Sequence, residues 1–468
     1  MAVLSKIAGI SLPYNCYEIG HTWHPDCNTA ALTLGASAFQ EGLKIYFPLY
    51  LITLFLRGKL SLNACLNVLT NTFTSSAFLG FHGLGVFLFH CLLRRLFGRY
   101  YFLSYFYIPS FITSFLALMI ERKNRRLPLA IYVTNVATET ILRMATTRGI
   151  VKPVPNAEVY LFSVLMAINM YITNFHRKYG YSEDVVSSIF KFILGDNEAR
   201  KNAKSQQKEN LSRCSGYSLL EKAVSCGMRL REEVETSFLQ RMWSTIRHSS
   251  CPHEYSCFFY CLQGFLRPFL MGYVALSASR CISLGRKLIS DPSLLFSLLS
   301  EKRNLSLGLF LGGFGATFRI INCLLRWYFA KDRASYAIPA ALLGGLFMKF
   351  YPSSTMSLYL MWKTLEKGYL MGMEKGTLPH IKCFTPLLYS ASTALLFHVA
   401  VLEAHNLKPA YFKFLTRVTD NRLFTVNHHV LDMFGTQSSK LFPDSWPELD
   451  HRYTSRIFQE CVLLWLIH

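Results

Sequence analysis

Two groups of cysteine and histidine residues have the composition of metal-binding sites. The first lies near the start of the chain and comprises Cys16, His21, His24 and Cys27. Thiolates and imidazoles are natural zinc ligands, and four of them complete a closed tetrahedral site. The second precedes an apolar segment in the other half of the chain and comprises His248, Cys251, His253, Cys257 and Cys261.

The first group is therefore a candidate zinc site, and the sequence indicates no other cofactor. The alternative is that these residues pack at a membrane interface, because a free cysteine behaves as a small hydrophobic side chain.

Charged residues inside apolar segments are a further candidate for function. Glu139 and Glu366 each fall in the middle of such a segment, and an ionisable group within a membrane is a functional-site hypothesis by default. Each has a basic neighbour at helical spacing, Arg143 four residues after Glu139 and Lys363 three residues before Glu366.

Two arginines could also reach these glutamates from a neighbouring helix. Arg94 and Arg326 end two related glycine-rich segments, and we predict the interhelical pairs Arg94–Glu139 and Arg326–Glu366. In the alternative, the arginines extend to lipid headgroups and the glutamates pair only within their own helix.

The glycine-rich segments must position these residues. Ser76 to Arg94 and Gly308 to Arg326 match without a gap, and both end in Cys-Leu-Leu-Arg. Small residues spaced four apart allow close helix packing in lipid. The predicted packing residues are Ser76, Gly80, Gly83, Gly308, Gly312 and Gly315.

Composition predicts an all-α, polytopic membrane protein. Of the residues, 51% are hydrophobic and 16% are charged, against about 25% charged in soluble domains. The match between the halves predicts two tandem repeats of four to five transmembrane helices, packed through small-xxx-small motifs. Five spans would make the repeats inverted and four would make them parallel.

The predicted segments are residues 1–40, a Cys/His-bearing N-terminal region; 41–176, membrane repeat 1; 177–250, a hydrophilic linker; 251–405, membrane repeat 2; and 406–468, a C-terminal tail.

The net charge is +21, and it lies mainly within and beside the apolar segments. This placement indicates anionic membrane lipids as partners and argues against nucleic acid, since there is no separate basic domain. The basic loop Arg122, Lys123, Arg125 and Arg126 is a candidate for lipid binding or membrane targeting. In the alternative it carries only solvated charge.

No enzyme signature is found. The sequence has no Walker loop, dinucleotide fingerprint, H-E-x-x-H or G-x-S-x-G motif, so a non-enzymatic role is expected.

Several motifs resemble one known family. The opening Asn-Cys-Tyr-Glu-Ile-Gly-His-Thr-Trp-His-Pro-Asp-Cys of residues 15–27 resembles the N-terminal cysteine-rich region of the transmembrane protein 135 family, and Val-Leu-Asp-Met-Phe-Gly-Thr at 430–436 is a further match. The last residues, 456–468, depart from the family's polar tail. More weakly, the glycine segments resemble mitochondrial import channels and small peroxisomal membrane proteins.

The resemblance implies a multi-pass protein of mitochondrial and peroxisomal membranes. It implies a non-enzymatic role in the balance of mitochondrial fission and fusion, in peroxisome organisation and in lipid and energy metabolism, with a dynamin-related fission GTPase as a partner. The alternative is a transporter or channel for an anionic or lipid metabolite.

Overall fold

The computed structural model describes residues 10–57, 61–177, 256–283, 301–331 and 333–467, together with 248, 251, 253, 291 and 293. These residues are mostly helical, as predicted. A short antiparallel ladder joins β1 (Ser11–Leu12) to β2 (Tyr100–Tyr101). The chain divides into two compact units. Unit 1 comprises Met1–Lys152 and Pro379–His468, and unit 2 comprises Pro153–Leu378.

The helices of unit 1 are α1 (Cys16–Ile19), α2 (Cys27–Arg57), α3 (Leu62–Phe97), α4 (Phe102–Tyr105), α5 (Tyr107–Ile120), α6 (Lys123–Thr147), α12 (Phe384–Leu402), α13 (Pro409–Val418), α14 (His428–Leu431) and α15 (Arg456–Ile467). Those of unit 2 are α7 (Ala157–Arg177), α8 (Cys257–Ser283), α9 (Leu305–Phe329), α10 (Ala337–Gly345) and α11 (Ser354–Glu374). Short 3-10 turns occur at Lys302–Asn304, Ala334–Tyr336, Leu346–Phe350, Ala404–Asn406, Arg422–Phe424, Asp432–Phe434, Ser438–Leu441 and His451–Tyr453.

The longest helix of unit 1, α3, has residues at both ends that suit those positions. Ser61 accepts a first-turn amide hydrogen bond at its N-terminus, and Gly98 ends the helix with a φ of 68°, which glycine adopts readily. Along its length α3 packs on α2 through small residues. A methyl group at Gly80 would lie 2.9 Å from Cβ of Phe39 and 3.1 Å from the carbonyl oxygen of Gly35, so the helices can approach this closely because Gly80 has no side chain.

The C-terminal segment is a folded part of unit 1. Helix α12 packs on α5 and α6, and the residues after it contact the N-terminal segment. The Asn427 backbone amide donates to the Ile19 carbonyl at 3.2 Å, and its side-chain amide donates to the Glu18 carbonyl at 3.2 Å. The rings of Tyr14 and Phe458 meet edge to face at 5.6 Å. The predicted tail, residues 406–468, is therefore held by backbone hydrogen bonds and apolar contacts.

Unit 2 contains a second helix pair packed through glycine. A methyl group at Gly308 would lie 2.8 Å from the Phe269 carbonyl oxygen, and one at Gly312 would lie 2.9 Å from that of Phe265. Helix α7 packs on α10 and α11, and the Ser357 hydroxyl of α11 donates to the α7 backbone at 2.8 Å.

The compact units differ in their boundaries from the predicted segments. Helix α7 falls in the predicted repeat 1, residues 41–176, yet it packs in unit 2. Helix α12 falls in the predicted repeat 2, residues 251–405, yet it packs in unit 1. The reason is apolar burial, since Phe162 and Met166 of α7 join one core with Phe310 and Phe314 of α9. The predicted boundary at residue 40 falls inside α2, and the linker 177–250 lies outside the described residues except for 177 and 248.

Four stretches of helix in the described part of the chain are long and apolar enough to cross a membrane. They are Leu62–Phe97, Phe102–Ile120, Leu305–Phe329 and Phe384–Leu402. Shorter apolar helices cover Ala157–Ile172 and Ala334–Phe350. The chain is thus a multi-pass membrane protein, and the predicted four to five spans in each half go beyond these four helices.

Candidate metal centres

Unit 1 brings three cysteines and one histidine to a single point. The cluster consists of Cys16 at the start of α1, His21 in the loop after it, Cys27 at the start of α2 and Cys91 in the last two turns of α3. One ligand atom of each residue lies within 4.8 Å of the ligand atoms of the other three. Two separate stretches of chain, residues 16–27 and the end of α3, therefore meet through side chains that can bind metal.

The imidazole of His21 is oriented by a hydrogen bond. Its Nδ1 lies 2.8 Å from the carbonyl oxygen of His24. A carbonyl oxygen only accepts, so Nδ1 carries the proton and the lone pair of the neutral ring is on Nε2. His21 is fully buried, and Nε2 has no hydrogen-bond partner in the described part of the chain. A backbone carbonyl that fixes the ring in this way is typical of a metal-bound histidine.

The thiols of this cluster perturb one another. The neighbouring Cys16 and Cys91 thiols and the His21 ring hold the pKa of the Cys27 thiol well below its usual range. Burial lowers the pKa of His21, but the neighbouring Cys16 and Cys27 thiols and the His24 carbonyl outweigh this effect and raise that pKa to about 10. The Tyr100 hydroxyl lies 3.1 Å from the Cys16 sulfur. The Cys27 side chain is thus favoured as the thiolate, the form that binds metal.

The structure changes the predicted membership of this group. Cys16, His21 and Cys27 come together, whereas His24 lies outside the cluster and its ring nitrogen Nδ1 accepts from the Asp26 amide at 3.0 Å. Cys91 takes the fourth position. The predicted set included His24 because it is near in sequence, and it missed Cys91 because that residue arrives along a different helix.

Unit 2 holds a second cluster of the same composition. It consists of Cys251, His253, Cys257 at the start of α8 and Cys323 on α9, again with ligand atoms within 4.8 Å of one another. The sulfurs of Cys251 and Cys257 are 3.9 Å apart, and the Cys323 sulfur is 3.6 Å from Nε2 of His253. The His253 ring stacks on Tyr260 with centroids 4.4 Å apart.

His248 and Cys261, which the sequence placed in this group, are not among the four residues of the cluster. The ring of His248 instead lies beside Trp327, with centroids 5.9 Å apart.

Burial raises the pKa of the Cys251 thiol, a member of the second cluster, to about 12. Three sulfur ligands and one nitrogen ligand make both clusters suitable for a closed, structural zinc site.

The structure places Glu139 in an ion-pair network within unit 1. Its carboxylate is 2.8 Å from Arg143 and 3.4 Å from Lys408 of the C-terminal segment. Arg94 is not brought to Glu139. Its guanidinium donates to the carbonyl oxygens of Tyr14 at 2.8 Å and Pro13 at 2.7 Å, because the N-terminal segment packs over this end of α3.

In unit 2, the local partner of Glu366 is Lys363 at 2.7 Å, and both side chains are mostly buried. Arg326 is buried on α9 with 6% of its surface exposed.

The basic loop divides into two kinds of residue. Arg125 lies over the Tyr50 ring at 4.6 Å and donates to the Ser75 hydroxyl at 3.0 Å. Arg126 donates to the carbonyl oxygens of Glu121 and Met119, each at 2.9 Å. The remaining two basic residues, Arg122 and Lys123, are exposed. Half of the predicted lipid-binding loop therefore makes contacts within unit 1, Arg125 with α2 and α3 and Arg126 with the end of α5.

A cavity of 480 Å³ inside unit 1 has no counterpart in the sequence predictions. Its lining is almost wholly apolar and aromatic. Arg422 contributes the cationic group: its guanidinium lies 5.5 Å from the Trp23 ring centroid. Its Nη1 is buried and has no hydrogen-bond partner within the described residues. No motif pointed to Arg422, because the cavity forms only when the C-terminal segment packs against α2 and α3.

Helices long enough to cross a membrane, together with two buried Cys3His clusters, define the class: a multi-pass helical membrane protein with candidate metal centres. Residues 13–146 match the family model for the N-terminal cysteine-rich region of Transmembrane protein 135. This match confirms the resemblance over the N-terminal cysteine-rich region. The matched region contains all four residues of the first cluster. No solved structure matches the chain.

Proposed function

We propose that the protein is a non-enzymatic regulator in mitochondrial and peroxisomal membranes. It acts on the balance of mitochondrial fission and fusion, on peroxisome organisation and on lipid and energy metabolism, with a dynamin-related GTPase as a partner. The observation that carries this proposal is the family match over residues 13–146. The four apolar helices support its placement in a membrane.

The finer architecture is part of the same proposal. The two halves arose by duplication, and each contributes four to five spans packed through small residues. The gap-free sequence match of the two glycine segments supports this. So do the glycine contacts of α3 on α2 and of α9 on α8.

The test is rescue of organelle morphology in cells that lack the protein. Full-length chain is expected to restore mitochondrial length and peroxisome number. Partner recruitment through the linker is tested by replacing residues 178–247 with a scrambled sequence of equal composition. The tail is left intact, because its residues pack into unit 1. Unchanged morphology in cells lacking the protein would overturn the proposal, and full rescue by the scrambled chain would overturn recruitment through the linker.

The cavity of unit 1 favours a second candidate function, transport of an anionic lipid. An apolar cavity with one guanidinium at its wall suits an acyl chain that ends in a carboxylate, because an arginine can bind a carboxylate through two hydrogen bonds. Arg422 has no ion pair within the described residues. Its charge would therefore be neutralised by the ligand.

Radiolabelled palmitate is a suitable probe for this second function. Arg422→Met keeps the aliphatic stem but removes the charge, and is expected to weaken palmitate binding at least tenfold, since a hydrogen bond to a charged group contributes about 1.5–3 kcal/mol. The control is Arg417→Met, whose exposed side chain pairs with Glu41 at 2.8 Å. Equal binding by both variants would rule out Arg422 as the carboxylate ligand. Liposomes containing the protein that move no palmitate would rule out transport.

A further inference from the structure

We propose that each unit is fastened by one structural zinc ion. The ligands are Cys16, His21, Cys27 and Cys91 in unit 1, and Cys251, His253, Cys257 and Cys323 in unit 2. This inference concerns the chemistry that stabilises each unit internally, and it does not depend on the organelle role proposed above.

The distances in unit 2 are those of a tetrahedral zinc site. Zinc–sulfur bonds of about 2.3 Å and zinc–nitrogen bonds of about 2.0–2.1 Å place two sulfurs about 3.8 Å apart, and a sulfur and a nitrogen about 3.6 Å apart. The observed separations are 3.9 Å between Cys251 and Cys257, and 3.6 Å between Cys323 and His253. Both separations match such a site, and all four ligand atoms lie within 4.8 Å of one another.

In unit 1 the orientation of His21 supplies independent evidence. Its Nδ1 donates to a backbone carbonyl, so the lone pair of the neutral ring is on the buried Nε2, which has no hydrogen-bond partner within the described residues. The same ring belongs to the cluster of thiols. If the cysteines served only as packing residues, this nitrogen would remain buried and unsatisfied, which is unfavourable. A zinc ion at the centre of the cluster satisfies it.

The two sites occupy matching places in the two halves. Cys27 and Cys257 are each the first residue of the helix that precedes a glycine-rich helix, α2 and α8. Cys91 and Cys323 each begin the Cys-Leu-Leu-Arg sequence of that glycine-rich helix. In each unit, the remaining cysteine and histidine come from the chain just before the first helix of this pair, which is α2 in unit 1 and α8 in unit 2. Two clusters with the same four donors at these places make chance packing a poor explanation.

The donor set also discriminates between alternatives. A disulfide would use two thiols and leave the third thiol and the histidine without a role. Iron–sulfur clusters are most often held by four cysteines. Three thiolates and one imidazole are a common structural zinc set, and a site with four protein ligands leaves no open position for catalysis.

The test is the metal content of the full-length protein, purified in detergent without chelator and with its affinity tag removed. Mass spectrometry of metals is expected to find two zinc ions per chain. Cys91→Ser and Cys323→Ser should each lower this to one, and the double variant should hold none. The matched controls are Cys65→Ser on α3 and Cys281→Ser on α8, whose cysteines lie outside both clusters, and these should retain two.

A second measurement does not depend on variants that fold poorly. Cobalt exchanged into the wild-type protein should give the absorption bands of tetrahedral thiolate ligation at two equivalents per chain. His21→Cys, which supplies a fourth sulfur ligand, should still bind metal at the first site, whereas His21→Ala should lose it. The proposal would be overturned if the wild-type protein held no zinc, or held iron or copper instead of zinc. Equal loss of zinc in Cys65→Ser and Cys91→Ser would also overturn it.

Discussion

Replacing Gly312 by alanine should loosen the helix pair of unit 2, whereas the same replacement at Gly368 should not. A methyl group at Gly312 would lie 2.9 Å from the Phe265 carbonyl oxygen and 3.0 Å from Cβ of Phe269. A backbone oxygen cannot rotate away, so α8 and α9 must separate. At Gly368 on α11, no heavy atom lies within 4 Å of the added methyl group in the described part of the chain.

The comparison isolates the packing effect. Alanine is favoured over glycine in a helix interior by roughly 1 kcal/mol at either position, so this contribution cancels between the two variants. What is left is the cost of overpacking at Gly312, which is typically about 1–3 kcal/mol. Gly368→Ala should be slightly more stable than wild type and Gly312→Ala less stable than Gly368→Ala by that amount.

The assay is equilibrium unfolding of the full-length protein in mixed micelles, followed by tryptophan fluorescence. Both variants carry the same added methyl group, so micelle effects on the chain are matched. If Gly312→Ala were as stable as Gly368→Ala, the close contact between α8 and α9 would not constrain the fold, and the role of glycine there would be refuted.

Three other perturbations follow from the structure. Glu139→Gln should lower the free energy of unfolding by roughly 1–3 kcal/mol. Lys408→Met should lose less stability in the Glu139→Gln background than in the wild type, because the two side chains form one ion pair. Additive losses in the double variant would exclude this pair. Burial lowers the pKa of His428 to about 4, so the unfolded chain, with a pKa near 6.5, takes up protons first and stability falls as the pH drops from about 6.5 toward 4. Relative to pH 8, His428→Asn should remove about 2 kcal/mol of the loss at pH 5, and an unchanged pH dependence would contradict this. Residues 153–378 expressed alone should resist protease, whereas 177–405 should not, because α7 packs within unit 2 and α12 within unit 1; the reverse result would refute this division.

The sequence could predict what depends on local pattern. Apolar composition indicates membrane helices, and glycine spacing indicates which faces pack. The sequence also indicated that Cys16, His21 and Cys27 form one group, because they lie within 12 residues of one another. It could not place Lys408 beside Glu139, nor Arg422 at a cavity, because each contact depends on how the C-terminal segment folds against α2, α3 and α6.

The prediction for Arg94 shows why pairing charges by sequence is unreliable. An arginine can satisfy its donors with backbone carbonyls as well as with carboxylates. At the end of α3 the carbonyls of the N-terminal segment are closer, so Arg94 binds them. The carboxylate that the sequence pattern suggests for Arg94 is therefore not the acceptor that lies nearest to it in space.

Glycine packing and the metal ligands follow from one helix register. In unit 1, Gly42 packs against Ser76, and Gly35 packs against Leu84. Because α2 and α3 are antiparallel, two further turns in this register place Cys27 opposite Cys91. In unit 2, Gly272 contacts Gly308 and Gly264 contacts Gly315, and the same continuation places Cys257 opposite Cys323. The small residues thus set both the distance and the alignment of each helix pair, and a bulky residue at these positions should shift the ligands out of reach as well as separate the helices.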